Sequence, residues 1–411
     1  MPEFLQLTPP QVALKRLLEH LPVAGVRCEW VGTVSGLGRI TATDVVAHEM
    51  LPAFSRSTMD GYAVRAADTL GASESLPAYL KLVGEVPMGM QSTFELLPGQ
   101  AALIHTGGML PKGCDGVVMI EVTQVTLPDE VEILRAVAAG ENILKAGEDV
   151  SVGQVVIPSG RRLRPAEIGG LLALGFQRVE VAALPRVGIL SSGDEVLPPD
   201  QVPQPGQIRD INSYTLTALV NQAGGQAILY GIVPDQRAAL DAKLREALAE
   251  CDLVLITAGS SASTRDLTAE VIAEMGAPGV LVHGVNIRPG KPTILAVCNG
   301  KPVIGLPGNP VSALVIARLF VVPVIERLTG QQPEIKPFIQ ARLRVNLPSQ
   351  AGREDWHPVK LIEGAQGLEA APIFYKSNLI FSLVQADGLA FISADANGAA
   401  AGELVRVLLL Q

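Results

Sequence analysis

Four loops rich in small, hydroxyl and charged residues hold most of the side chains in this sequence that suit chemistry. Ser191-Ser192-Gly193-Asp194-Glu195 ends an apolar run. Its small residues let a backbone approach an anion, and its two acids suit a cation, although a solvated strand-to-loop turn has the same composition. Thr257-Ala258-Gly259-Ser260-Ser261-Ala262-Ser263-Thr264-Arg265-Asp266 also leaves an apolar run and precedes a helical pattern. Hydroxyls, amides and a helix N-terminus there make a phosphate cradle, or else an ordinary Ser/Thr-capped helix start. In Arg288-Pro289-Gly290-Lys291-Pro292 two cations stand three residues apart on a stretch stiffened by proline. That stiffness limits the freedom lost on binding an oxyanion; a surface turn with solvated bases is the alternative. Gly305-Leu306-Pro307-Gly308-Asn309-Pro310 enters an apolar helix, with Pro310 expected at its first position and Asn309 as N-cap. Its backbone suits a phosphate at the positive end of the helix dipole, or serves only as a rigid connection.

An earlier, β-rich stretch adds Ser57-Thr58-Met59-Asp60-Gly61-Tyr62-Ala63, Thr106-Gly107-Gly108 and Gly147-Glu148-Asp149. Each alone reads as a turn. The five histidines (His20, His48, His105, His283, His357) neighbour no nucleophile, and His105 reads as a strand residue rather than a base. Cys28, Cys114, Cys251 and Cys298 are dispersed without metal-ligand spacing, which speaks against structural zinc and for a reducing cytoplasm.

Length and composition bound what can position these loops. The 411 residues suffice for several domains with large cores, and 48% hydrophobic against 18% charged residues argues for a folded chain. A net charge of −9 without a Lys/Arg block leaves no footprint for nucleic acid or an anionic membrane, so an anionic ligand must be held locally. The N-terminus lacks the pattern of a signal peptide, and the apolar run Val311–Ile325 contains Arg318 and Pro323 and is short of the ~20 residues of a bilayer span. A cytoplasmic protein is expected.

Helical spacing of Val12, Leu14, Leu17, Leu18 and Leu21 predicts a first helix after Pro9-Pro10. Residues about 40–160 then read as mostly β, with runs such as Ala101–His105, Gly116–Val122, Val131–Leu134 and Val152–Pro158, before a helix over Pro165–Leu174. From Arg186 to about Leu328 strands and helices alternate, the mark of a sheet with helical crossovers. Strands are predicted at Val187–Ser191, Ala227–Val233, Leu253–Thr257, Thr293–Val297 and Val303–Leu306. Helices are predicted at Ser213–Gln222, Gln236–Ala249, Leu267–Met275 and Val311–Leu328. Ligands of such sheets sit beyond the carboxyl ends of the strands, where the loops above fall. Ile339–Val345, Leu389–Ile392 and Leu404–Leu409 predict a small separate β domain at the end.

In chain order these segments resemble the molybdopterin molybdenumtransferase family, MoeA in bacteria and the E domain of gephyrin in animals. The resemblance rests on Met59-Asp60-Gly61-Tyr62-Ala63, Thr106-Gly107, Gly147-Glu148-Asp149-Val150 and Ser192-Gly193-Asp194-Glu195-Val196. It continues in Gly206-Gln207-Ile208-Arg209-Asp210-Ile211-Asn212, Pro289-Gly290-Lys291-Pro292 and Leu306-Pro307-Gly308-Asn309-Pro310-Val311-Ser312. It implies a multidomain α/β plus β fold: N-terminal linker, helical and β-rich parts over 1–184 (β-rich about 50–145), a MogA-like three-layer α/β molybdopterin-binding domain over 185–330, and a C-terminal β barrel over 331–411. It further implies an elongated homodimer that takes molybdate and adenylylated molybdopterin, uses Mg2+, inserts the metal at the dithiolene and releases AMP. Other molybdenum cofactor biosynthesis proteins and acceptor apoenzymes are the partners it implies; nucleic acid and membrane are not.

Carried over by position, Asp60, Glu195 and Asp266 are expected to be catalytic and, with Asp235, to hold magnesium. Thr106, Asp149, Ser192, Gly193, Asp235, Gly259, Ser261, Arg288, Lys291, Pro307, Gly308, Pro310, Ser312, Arg353 and Ser377 are expected to bind substrate, with Asp60, Thr106 and Asp149 facing the other subunit's α/β domain. The sequence departs from the family where Ala258-Gly259-Ser260-Ser261-Ala262-Ser263 replaces a run richer in glycine, where Leu267 replaces Tyr, where Arg288 replaces Lys, and where Pro358 takes the place of a second C-terminal Arg. These departures motivate a second hypothesis, a pterin-binding carrier or scaffold without metal insertion. A third is the same reaction with tungstate.

Overall fold

The computed structural model describes residues 7–22, 25–258, 262–333, 338–374 and 376–410. Its centre is a six-stranded sheet in the order Gln226–Val233, Arg186–Ser192, Leu253–Ala258, Lys301–Pro307, Ile294–Cys298 and Pro278–His283. The first four strands are parallel, and Arg186–Ser192 and Lys301–Pro307 are buried nearly throughout, which is why they read as unbroken apolar runs. The last two are antiparallel, joined without the helical crossovers that link the others. The cause is local: Asn299 and Gly300 both adopt positive φ, the two-residue turn that folds Ile294–Cys298 back onto Lys301–Pro307. Pro278–His283, half-buried and at the edge, escaped the pattern reading.

Two apolar cores cover the two faces of this sheet, giving three layers. One holds Arg237–Glu250 and Ala262–Ala273. The other holds Asn212–Gln222, the helical run from Pro310 to Leu328 and the N-terminal helix Pro10–Glu19, whose Ala13 and Leu17 belong to the central core despite their place in sequence. The run from Pro310 to Leu328 is not uniform: Ala317–Val321 is π-helical. Pro323 supplies no N–H to the turn before it, and the wider turn accommodates its ring.

A six-stranded antiparallel-rich sheet forms the β-rich region, in the order Gly116–Met119, Gly61–Val64, Gln100–Ile104, Ala78–Val86, Glu130–Ile133 and Thr123–Leu127. It is carried by a small unit in which Cys28–Gly32 pairs with Arg178–Ala182 beside the helix Pro165–Ala173. The expected strand over Val152–Pro158 shortens to Val155–Ile157, and Gly116–Val122 ends at Met119 in a 3-10 turn. At the other end of the chain, Glu354–Gly364, Gly367–Pro372, Phe338–Leu343, Leu404–Leu409 and Gly388–Ile392 pair in a ring, closing a five-stranded barrel. Closure leaves this small domain no exposed sheet edge to protect.

Candidate active site

Where the central sheet meets the barrel, the backbone is stitched from both sides. The short strand Ile287–Arg288 runs parallel to Glu354–Asp355, and the Glu354 amide donates to the Asn286 carbonyl over 3.1 Å. Gly290 has φ +114°, and a Cβ there would collide with Ile316, so the basic loop reaches the helix beneath it only as glycine. The result is a cavity of about 740 Å3, lined by Arg288, Lys291, Pro307, Ser312, Arg353 and Ser377 among others. The structure therefore brings together six of the residues singled out from the sequence. Lys376 and Gln350 also line the cavity; neither belonged to a motif, and only adjacency to Ser377 marked Lys376. Pro358 is buried in the barrel strand opposite Leu389.

The turn Pro307–Pro310 forms a wall shared with a second cavity of about 410 Å3, at the carboxyl end of Arg186–Ser192. Asn309 lines both. It precedes the helix as expected, but its Nδ2 donates to Ser377 Oγ at 2.9 Å instead of its side chain capping the helix. The Val311 amide donates to the Ser377 carbonyl at 3.1 Å, and Pro310 has no N–H. Two of the groups that an anion at this helix N-terminus would have met are thus closed to it; the Ser312 hydroxyl carries the helix's contribution to the first cavity.

The second cavity is lined by Ser192, Glu195, Gly308 and Pro310, together with Ser191, Thr257 and Asp210. At Gly193 φ is +148°, and a Cβ would stand 2.7 Å from the Glu195 carboxylate, so the missing side chain leaves room for that acid to fold back over the strand end. Ser192 Oγ donates to Asp235 Oδ1 at 2.5 Å, which sets Asp235 directly behind the cavity wall. Asp210, buried, accepts the Ser213 amide and holds the start of Asn212–Gln222. It was quoted within a motif but not singled out, because its capping role and its place on the cavity follow from the fold. Gly259 and Ser261 lie outside the described residues, as does the side chain of Asp266. The helix that carries Asp266 begins at Ala262, ahead of the start expected at Leu267.

Asp60, Thr106 and Asp149 line neither cavity. They cluster on the β-rich region, where the segment from Leu51 to Asp60 is bonded to Gly107 and Gly108 on one side and to Gly147 and Asp149 on the other. Asp60 Oδ1 accepts the Thr106 amide at 2.7 Å and the Thr106 hydroxyl at 3.1 Å. These bonds, the amide foremost, hold the exposed Asp60 carboxyl below its ordinary value. His105 follows the strand Gln100–Ile104 and sets its ring between Glu85, at 3.0 Å, and Asp60, at 3.9 Å.

Carboxylate and hydroxyl oxygens are the donor set of both acidic regions, and that suits a hard cation such as Mg2+. Among the described residues no three His, Cys, Asp or Glu side chains converge on one point. An ion held by one or two carboxylates and completed by phosphate oxygens would fit this pattern among the described residues. No helix among the described residues is long and apolar enough to cross a membrane.

Comparison with known proteins agrees with this layout. Residues 8–175 match the MoeA N-terminal region (domains I and II), 188–327 a probable molybdopterin binding domain, and 340–410 the MoeA C-terminal region (domain IV). The chain is 38% identical to a putative molybdopterin biosynthesis protein of Methanocaldococcus jannaschii, over 98% of this chain and 96% of that one. It is also 38% identical to the molybdopterin molybdenumtransferase of a Nostoc species, over 91% and 86%. A crystal structure of the molybdopterin biosynthesis MoeA protein from Pyrococcus horikoshii superposes with a TM-score of 0.87 at 34% identity, covering 98% of this chain and all of that one. With all three domains matched in order and relatives aligned nearly end to end, the chain belongs to the MoeA family of molybdenum cofactor biosynthesis proteins.

Proposed function

We propose that this chain is a molybdopterin molybdenumtransferase that inserts molybdenum from molybdate into adenylylated molybdopterin and releases AMP in a Mg2+-dependent step. The observation that carries the reading is the pairing of two adjoining cavities across the wall Pro307–Pro310, one basic and one that sets Glu195 and Asp210 beside Arg209 and the hydroxyls of Ser191, Ser192 and Thr257. Arg288, Lys291, Arg353 and Lys376 hold the tetrahedral oxyanion, and Ser312 and Ser377 donate to its oxygens. The pterin and its pyrophosphate extend past Asn309 toward Ser192 and Glu195, with Asp235 fixing the Ser192 hydroxyl.

Mg2+, held by Glu195 and by Asp60 of a second copy together with substrate phosphate, would polarise the phosphorus centre. Asp266, Gly259 and Ser261 stay in this reading as contributors from the loop beyond Ala258. Asp60, Thr106 and Asp149 have no facing partner in either cavity of their own chain, which supports a homodimer in which they complete the other subunit's cleft. The division at about residues 185 and 331, a cytoplasmic location, and transfer to and from other cofactor-synthesis proteins and acceptor apoenzymes belong to the same reading.

AMP release from adenylylated molybdopterin by the purified protein tests it. Release that needs both molybdate and Mg2+ is the expected result, and tungstate in place of molybdate reports the preference between the two. Tight pterin binding without release overturns the transferase and leaves the carrier.

A further inference from the structure

Asp355 occupies the start of the barrel strand Glu354–Gly364, and its side chain is wholly buried, with 0% exposed. A carboxylate survives such burial only when it is paired and hydrogen-bonded. Its partners include Arg353 and, at ion-pair distance, Arg288, the two guanidinium groups of the basic cavity, with Ser349 and His357 beside them. Arg353 donates from Nε to Oδ1 at 2.9 Å and from Nη2 to Oδ2 at 3.4 Å. Arg288, which belongs to the central domain, brings Nη1 to 3.9 Å from Oδ2. His357 Nε2 stands 3.7 Å from the same oxygen. Alternation along the strand sends Arg353, Asp355 and His357 to one face, while Glu354 and Trp356 line a separate apolar cavity on the other.

We propose that Asp355 is the positioning residue of the basic cavity: from behind its wall it fixes the plane of Arg353 by a two-pronged contact and draws the Arg288 guanidinium toward it, and so matches two cations from two domains to one tetrahedral dianion. An arginine has five donors, and those Arg353 does not spend on Asp355 are then aimed into the cavity instead of sampling many rotamers. The backbone ladder between Ile287–Arg288 and Glu354–Asp355 sets Arg288 directly opposite Asp355, so the register between the domains and the approach of the second cation are one construction. Asp355 also sets one negative charge behind four positive ones. A role limited to offsetting charge makes the opposite prediction, since removing it would strengthen the cavity's attraction for any anion.

This proposal rests on the oxyanion reading of the cavity, and the test separates the two. Calorimetry on the full-length protein measures molybdate and sulfate affinity for the wild type, Asp355→Asn and Arg353→Lys, with thermal melts to establish folding. Positioning predicts that Asp355→Asn weakens molybdate binding by about tenfold or more, the value of one charge-assisted hydrogen bond. In the AMP assay the molybdate KM should rise by a similar factor while kcat at saturating molybdate changes little. Arg353→Lys keeps the charge but cannot form the two-pronged contact, and it should show a comparable loss even if the Asn variant fails to fold. Wild-type affinity in a folded Asp355→Asn, tighter binding of both anions by it, or wild-type affinity in Arg353→Lys each overturns the proposal. A wild type that binds neither anion overturns the oxyanion reading itself.

Discussion

The basic cavity and the Asp60 cluster are built by opposite strategies. Around the cavity, two domains of one chain are laced together by a backbone ladder, the Asn309–Ser377 bond and the Asp355 ion pairs, so Arg353 and the backbone that carries Arg288 are held before any ligand arrives. Asp60, in contrast, is an exposed carboxylate on the β-rich region, oriented by Thr106 and open on its outer side. The contrast teaches that pre-organisation here is a property of interfaces. Where two elements meet, polar groups hold one another in place; where one faces outward, its local bonds set its charge but not its target.

Substitutions on the two sides should differ in kind, in decreasing order of effect. Asp60→Asn should lower the maximal rate of AMP release by about 100-fold, as for loss of a group that acts on charge developing in the transition state. Its melting temperature should stay near that of the wild type, because the residue is exposed. A folded Asp60→Asn with an unchanged rate would break the comparison by removing Asp60 from the chemistry.

Lys291→Ala should act on binding, raising the molybdate concentration for half-maximal rate by about tenfold with less change in the maximal rate. Lys376→Ala should raise it by roughly three- to fivefold, since both lysines are screened by solvent but Lys376 lacks the flanking prolines that stiffen the loop of Lys291. A larger effect than that of Lys291→Ala would relocate the centre of the anion site.

The smallest expected effect is one of pH. Thr106 holds the Asp60 pKa below its ordinary 3.8 in the folded protein. The stabilisation from those bonds is therefore complete above that pH and fades as pH falls through the lowered value. Thr106→Val removes the hydroxyl bond and keeps the amide, so it should move the Asp60 titration only part of the way up toward 3.8, read from its carboxyl carbon by NMR, with only a modest loss of rate near neutrality. An unmoved titration would show that the hydroxyl adds nothing to the amide in setting the charge.

Much of this was legible in the sequence. The parallel strands could be read because burial on both faces makes them continuous apolar runs, and the loops after them because glycine, proline and hydroxyls cluster where strands end. The antiparallel edge strand Pro278–His283 was not, since its side chains alternate in environment without a strong pattern. Arg288, Lys291, Ser312, Arg353 and Ser377 were singled out and do share one cavity. Asp355 and Lys376 were missed for a physical reason: an acid between Glu354 and Trp356 carries no sign that it will be buried against two arginines, one of them 67 positions earlier. Asn309 does take the N-cap position that the sequence predicts, but local pattern cannot see that its side-chain amide is drawn across to Ser377 instead of bonding the helix.

If the two regions form one site across two copies of the chain, subunit mixing tests this most directly. Asp60→Asn and Lys291→Ala, each assayed alone at a molybdate concentration where it is nearly inactive, are co-expressed and the mixed dimers assayed for AMP release. Random pairing makes half of the dimers mixed, each with one intact site, so about a quarter of wild-type activity should return. Activity no higher than that of the separate variants, in dimers shown to be mixed, would mean that Asp60 and Lys291 act within one subunit and would contradict the account.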